Sequence, residues 1–511
     1  MSTLEESGAA PSQAPWPEAW RQSLADPSWR ARLARAVEER DEPALRELCE
    51  CWIGLECHAR LDTGSKLFCA LPEGAAGWVD VGMPGALPTL DPRAAMLAAR
   101  LGRALGATLA ARMGFERKRY PYPDLAKGYQ TTQKALCVWE GGAARWPGGS
   151  MPLLRAQIEE DAAKVKREGD GFEMDFARAG SPLLEIVSDA REMWPDEARD
   201  AARAVWAESV HCGASQGLIE EGHFKSDVNV SLRPRGAPGL GRRVEVKGVG
   251  SFDFARAAAR EALWALAGEL LAPAPRVERT WAFDEARARC VPMREKGDES
   301  AYKFLPDGDL VLRAAPDPGP VVGWFDARAR LVGAFGGEEQ TSALWEDPRR
   351  TRLGAELSDD LLGELAARGS EFSGPLARGF FAKAARPESP SADLAAAWSW
   401  ACRAALAGAR SGTAMAAAAE GLAGGPFDDG RAQSALGGRA PSGSDAFEPR
   451  LAAALEADPK ARAAWEQARQ GKPKALGYLF GALGSRLREA GAAFDPKDLS
   501  DWLKAKSEEA R

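Results

Sequence analysis

Histidine and tyrosine are scarce, with 3 and 5 copies in 511 residues. So few imidazoles make any strand-borne His informative. Cysteine is thin as well. Its 8 copies are scattered without C-x-x-C spacing, which excludes a disulfide framework and a Cys-type zinc site. No apolar run approaches the ~20 residues of a membrane helix. The opening text MSTLEESGAAPSQAPWPEAW lacks the charged and apolar regions of a secretory signal, and Glu5, Glu6 and Glu18 speak against an acid-poor transit peptide. The expected location is cytoplasmic, with no membrane contact. Neither a P-loop nor a Rossmann glycine pattern is present, so no standard fingerprint argues for nucleotide binding.

What is present is the composition of an ordinary globular protein, 45% hydrophobic and 28% charged. The length predicts two to four domains. With 74 acidic against 67 basic residues the net charge is −7, which excludes a wholly basic coat while leaving room for a local basic face. Tyr120, Tyr122 and Tyr129 crowd into RYPYPDLAKGYQ. Lys66, Lys118, Lys127, Lys164, Lys225 and Lys247 all fall in the first half of an Arg-biased chain. Arg and Lys differ in donor geometry, so Lys retained there points to specific contacts.

The pattern predicts an α+β fold: a large mixed or antiparallel sheet with helices packed on one side, followed by Ala/Leu-rich helical text. The expected divisions are an N-terminal helical extension (1–48), the sheet domain (49–312) and helical text from there to the end. In WIGLECHARL, period-two alternation puts Glu56 and His58 on one face and Cys57 on the other. Cys57 and His58 therefore cannot form a nucleophile–base pair. FKSDVNVSLRP places Lys225, Asp227, Asn229, Ser231 and Arg233 on one face, and RRVEVKGVG does the same for Arg243, Glu245 and Lys247. The turn-forming text between these runs predicts an antiparallel hairpin with Asp227 and Glu245 on a common face. WPDEARDAARAVWAESVHCG and SFDFARAAAREALWALAGELL read as flanking helices.

Glu159, Glu160 and Asp161 form an acidic trio. Together with Glu56, His58, Asp227 and Glu245 they supply hard oxygen donors and one imidazole, which suit Mg²⁺ or Mn²⁺ better than zinc. Such acids converging without a cation would raise one another's pKa values sharply. The alternative is that each acid belongs to its own strand surface, or pairs across strands with Lys225, Lys247 or Arg243.

Nine blocks in order resemble the GatB family of aspartyl/glutamyl-tRNA amidotransferases. They are IGLECHARLDTGSKLF, GMPGALPTLD, FERKRYPYPDLAKGYQ, IEEDAAK, RAGSPLLEIVSD, EEGHFKSDVNVSLRP, VEVKGVGSF, FDEARARCVPMREK and KALGYLFGALGSRL. The resemblance implies ATP-dependent phosphorylation of the side-chain carboxyl of Glu or Asp mischarged on tRNA. Ammonia made from glutamine then gives Gln-tRNA or Asn-tRNA. It implies that residues 49–312 form a catalytic cradle, followed by a helical domain (313–412) and a C-terminal helical tail domain (413–511). It implies a heterotrimer in which the chain joins an amidase (glutaminase) partner and a small third subunit. By the family pattern Glu56, Glu159, Glu160, Asp227 and Glu245 are catalytic, and Glu56, His58, Glu160, Asp227 and Glu245 hold the metal. Lys118, Lys164, Arg233 and Lys247 serve the nucleotide or the acylated end, and Lys472, Lys474, Arg486 and Arg488 serve the tRNA body. This chain departs from the pattern at Gln157, where the family usually carries His, at Ala163 for Gly, at Ala177, Gly248 and Gly250 for Asn, and over Tyr302–Leu305, and it carries the extra lead. The rival expectation is a non-catalytic paralogue that binds tRNA or acts as a scaffold.

Overall fold

A computed structural model describes residues 16–334 apart from 121, 170, 275–277 and 296–302. Beyond these it describes 348, 351, 357–367, 392–406, 415, 459–469, 478–480 and 482–483. The chain divides into two compact units, Met1–Ala395 and Ala396–Arg511.

Three helices lead: α1 (Arg21–Ala25), α2 (Pro27–Glu39) and α3 (Glu42–Leu48). Asp26 and Asp41 start the second and third by accepting the backbone N–H of Ser28 and Ala44, each with a proline in the first turn. Then follow β1 (Cys49–Arg60), α4 (Pro92–Ala104), β2 (Thr108–Leu109), β3 (Glu116–Arg119), β4 (Tyr129–Thr132), β5 (Trp139–Glu140), β6 (Ala143–Trp146) and β7 (Gly149–Glu160). The chain continues through β8 (Lys164–Glu168), β9 (Gly171–Asp175), β10 (Pro182–Ser188), β11 (Arg191–Glu192), α5 (Pro195–His211), β12 (Phe224–Pro234) and β13 (Val244–Val249). It goes on to α6 (Phe252–Glu269), β14 (Arg279–Asp284), β15 (Arg289–Glu295), β16 (Lys303–Pro306) and α7 (Trp324–Ala334). Among the described residues beyond these, the remaining elements are helical, at Asp359–Ala367, Ala392–Leu406 and Pro459–Arg469. No helix among the described residues is long and apolar enough to cross a membrane.

The main sheet runs β15-β14-β13-β12-β1-β10-β7-β5-β2, with β11 on β1 and β6 on β7. Its pairs are antiparallel except β13–β14, which α6 connects as a parallel crossover. The fold is α+β with a mixed sheet, as the pattern predicts. The β12–β13 pair is the expected antiparallel hairpin.

One sheet face is apolar. Cys51, Ile53, Leu55 and Cys57 on β1 are buried beside Val228, Val230 and Leu232 on β12 and Val244 and Val246 on β13. α5 and α6 cover this face through alanine-rich stripes, which let the helices approach the strands closely. The leading helices join the same core. Trp20, Leu33, Leu45 and Leu48 are buried in it, and Trp20 Nε1 donates to Pro238 O at 2.8 Å. The opposite face carries the polar residues of the same strands. This division, set by period two, leaves one face of the cradle for chemistry.

Candidate active site

The open face is built by register. Glu56 on β1 lies opposite Asp227 on β12, and Asn229, two residues on, pairs with both Gly54 and Glu245. One carboxylate oxygen from each of Glu56, Asp227 and Glu245 therefore lies within 4.8 Å of the others. Beside them, His58 sits opposite Glu185 on β10, and Glu159 on β7 sits opposite Leu183. His58, Glu159 and Glu185 form a second set of the same compactness, with His58 Nε2 3.8 Å from Glu159 Oε1.

Neighbours hold these carboxylates in place. Asn229 Nδ2 donates to Glu56 Oε1 at 3.2 Å. Lys247 Nζ bridges Asp227 Oδ2 at 3.4 Å and Glu245 Oε1 at 3.2 Å. Thr280 Oγ1 donates to Glu245 Oε2, and Thr132 Oγ1 to Glu159 Oε2, each at 3.0 Å. Gly248 takes the left-handed conformation, φ 70°, where the β12–β13 register shifts, and its N–H donates to Asp227 Oδ1 at 2.8 Å. A glycine meets that turn without strain. The departure from Asn at 248 thus removes an amide side chain while the backbone donor remains.

The electrostatics show negative charge under-compensated by the protein alone. Burial, followed by Glu185, Asp227 and Glu245, raises the Glu56 carboxyl above its ordinary range, with Lys247 pulling the other way. Burial and Glu185 push Glu159 up to about 7 against the opposing charges of His58 and Lys118. Burial alone would lower His58, yet Glu185 and Glu159, then Asp227 and Glu56, hold its imidazole above the usual value. Burial likewise opposes the charge on Lys247, but Asp227 and Glu245 prevail and raise it. Hard oxygens crowded in this way fit a divalent cation of the Mg²⁺ or Mn²⁺ kind, with Glu56, Asp227 and Glu245 as its holders. The set of His58, Glu159 and Glu185 fits a second one, the imidazole included.

The other sequence-predicted residues fall elsewhere. Glu160 is not brought to either set. The acidic trio begins as the end of strand β7, so Glu159 and Glu160 point to opposite faces. Glu160 instead receives Lys127 Nζ at 2.6 and 2.7 Å and the Thr131 N–H at 2.7 Å. Arg233 pairs with Glu50 at 2.6 Å and stacks over Trp52, with Cζ 4.6 Å from the ring centroid. Lys118 lies on β3 in the separate three-stranded sheet, from which its charge opposes the rise of the Glu159 carboxyl. Lys164 stands exposed on the separate β8–β9 hairpin. Lys472, Lys474, Arg486 and Arg488 lie outside the described residues.

Glu185 escapes sequence reasoning, although its signal is a lone acid in the apolar strand PLLEIVS. Nucleophilic alternatives fare poorly. Cys57 faces the helices, its thiol driven far up by burial. The stretch GASQG at 213–217 has the spacing of a nucleophile elbow but follows a helix, and Ser215 Oγ accepts the Gly217 N–H at 3.2 Å.

Residues 51–316 match the family described as GatB/GatE catalytic domain. Over 275 residues the chain is 38% identical to the GatB-type protein of the aspartyl/glutamyl-tRNA(Asn/Gln) amidotransferase from Nitratidesulfovibrio vulgaris, covering 51% of this chain and 58% of that one. It is 39% identical to the protein of the same name from Anaeromyxobacter sp. over 274 residues, 50% of this chain and 56% of the relative. The counterpart from Bordetella pertussis is 39% identical over 300 residues, 54% and 60%. The matched stretch thus spans less than two thirds of each relative.

Proposed function

The chain belongs to the GatB/GatE catalytic-domain family, and from that membership we propose that it is one subunit of a tRNA-dependent amidotransferase. In this reading ATP phosphorylates the side-chain carboxyl of Glu-tRNA(Gln) or Asp-tRNA(Asn). Ammonia, released from glutamine by a partner amidase, then displaces phosphate to give the amide. A small third subunit completes the heterotrimer.

Glu56, Asp227 and Glu245 would hold the divalent cation. When bound, it supplies positive charge to the phosphoryl group as that group moves onto the carboxylate. Lys247 orients Asp227 and Glu245 and keeps their oxygens from turning away. The Gly248 N–H fixes Asp227 from the opposite side. His58, Glu159 and Glu185 would hold a second cation beside the first. Lys118 meets negative charge beside Glu159.

The observation that carries this reading is the convergence of three acids from three strands within 4.8 Å on the open sheet face. The test is Gln-tRNA formation from Glu-tRNA by this chain with its amidase and small partners. Product should require both ATP and Mg²⁺, and Asp227→Asn should lose at least about 100-fold in rate. Retained tRNA binding with no ATP turnover would replace this reading with a scaffold.

A further inference from the structure

A second hollow opens on the same face beside the acid cluster, with a volume of about 460 Å³. That size is ordinary for a small-molecule site. Gly54 helps to form it by leaving a gap in β1 between Trp52 and Glu56. One wall is Trp52, whose ring is braced by the Arg233 guanidinium, itself fixed by Glu50. Leu154, Val187 and Leu240 add apolar surface. A rigid aromatic face among aliphatic side chains suits a flat ring.

The polar groups narrow the choice. Asn229 donates its Nδ2 to Glu56, which leaves its buried Oδ1 without a hydrogen-bond partner. An unpaired buried acceptor costs about 1–3 kcal/mol, so the position favours a ligand N–H. Glu56, Asp189 and Glu278 outnumber Arg243 among the charged residues here, so the hollow repels an anionic group. The part of a ligand that fits is planar, uncharged and amine-bearing. Glu56 borders both the hollow and the carboxylate cluster, so a ring seated here lies next to the phosphorylating residues.

We propose that this hollow seats the purine of adenosine, its exocyclic amine donating to Asn229 Oδ1. The inference rests on the amidotransferase reading, in which ATP and the 3′ end of tRNA both carry adenosine. It adds the seat of the base and the residues that read it. Trp52, Gly54, Asn229 and Leu240 are then binding residues, and Arg233 positions Trp52.

Equilibrium dialysis of the full chain against adenosine and inosine tests this. Adenosine should bind, and inosine, with a carbonyl in place of the amine, should bind at least about 100-fold more weakly. Gly54→Val fills the hollow from the floor, where an added Cβ meets Ala190 at an ordinary 3.7 Å. Leu240→Trp fills it from a half-exposed loop position with little risk to folding. Each should weaken adenosine at least about tenfold. Displacement of bound adenosine by ATP assigns the seat to the nucleotide. Displacement by an RNA ending in adenosine, but not by ATP, assigns it to the tRNA terminus. Absent adenosine binding, equal binding of inosine, or unchanged affinity in both variants overturns the proposal. Unchanged KM values for ATP and tRNA in Leu240→Trp would sink the seat while leaving the amidotransferase reading intact. Adenosine binding by a complex that forms no amide would do the reverse.

Discussion

At the scale of single residues, Glu159 and Glu160 are neighbours in sequence with different tasks. Glu159 joins His58 and Glu185, whereas Glu160 is 3% exposed and tied to Lys127 on the other side of the strand. Glu160→Gln should therefore act on stability. Breaking a buried ion pair by removing one partner costs about 3–5 kcal/mol, readable in urea unfolding, while the cation response of the open face persists. A mutant of full stability that no longer responds to cation would contradict this assignment. The sequence could not separate the two acids, because a run of three carboxylates carries no sign of where a strand ends. Glu56, His58 and Asp227 were legible because each sits in a strand whose alternation is unambiguous. Glu185 needed register: its partnership with His58 exists only once β10 lies antiparallel to β1. Gly248 was legible only as a missing Asn, since a backbone donor leaves no mark in a side-chain pattern.

At the scale of elements, the text from Trp16 onward reads as an appended helical segment, yet these helices share the main core. Trp20 is fully buried, stacks on Trp16 with centroids 5.8 Å apart, and bonds to Pro238. Trp20→Ala should cost about 3–5 kcal/mol in denaturant unfolding, far more than a loosely attached helix would lose. A second element is held by a buried carboxylate. Glu208 of α5 accepts the N–H of Trp324 at 2.7 Å and of Phe325 at 3.2 Å, which start α7. Burial raises its carboxyl from 4.5 to about 7, against those two N–H groups and Arg145, with Asp326 adding to the rise. Because the folded state holds this proton more tightly than the unfolded state, the contribution to stability is full below about 4.5. It is lost as pH rises through about 7. Melting temperature should accordingly fall between those pH values. Glu208→Gln should flatten the slope by an amount on the order of 1–3 kcal/mol. An unchanged slope in that variant would remove Glu208 from the account. Helices α5 and α6 and the β12–β13 hairpin were legible from caps, periodicity and turn text. The core role of α1–α3 was not, because an amphipathic stripe says that a helix packs without saying against what.

At the scale of the whole molecule, the sheet works as a sorting device. Its apolar face takes the alanine-rich helices, and its open face collects acids from β1, β7, β10, β12 and β13 into two adjoining sets. The net charge of −7 says nothing of this, since the balance that matters is local. The Glu56 carboxyl, raised by burial and then by Glu185, Asp227 and Glu245, gains most from a divalent ion, since Lys247 is the cation bridging Asp227 and Glu245. On the proposed reading, Glu56, Asp227 and Glu245 hold one ion between them. Mn²⁺ titration of the full chain, followed by electron paramagnetic resonance, tests it most directly. Binding should be saturable, weaken at least about tenfold in Glu56→Gln and in Asp227→Asn, and stay unchanged in Glu160→Gln. Equal Mn²⁺ affinity in the wild type and in Glu56→Gln and Asp227→Asn would contradict it.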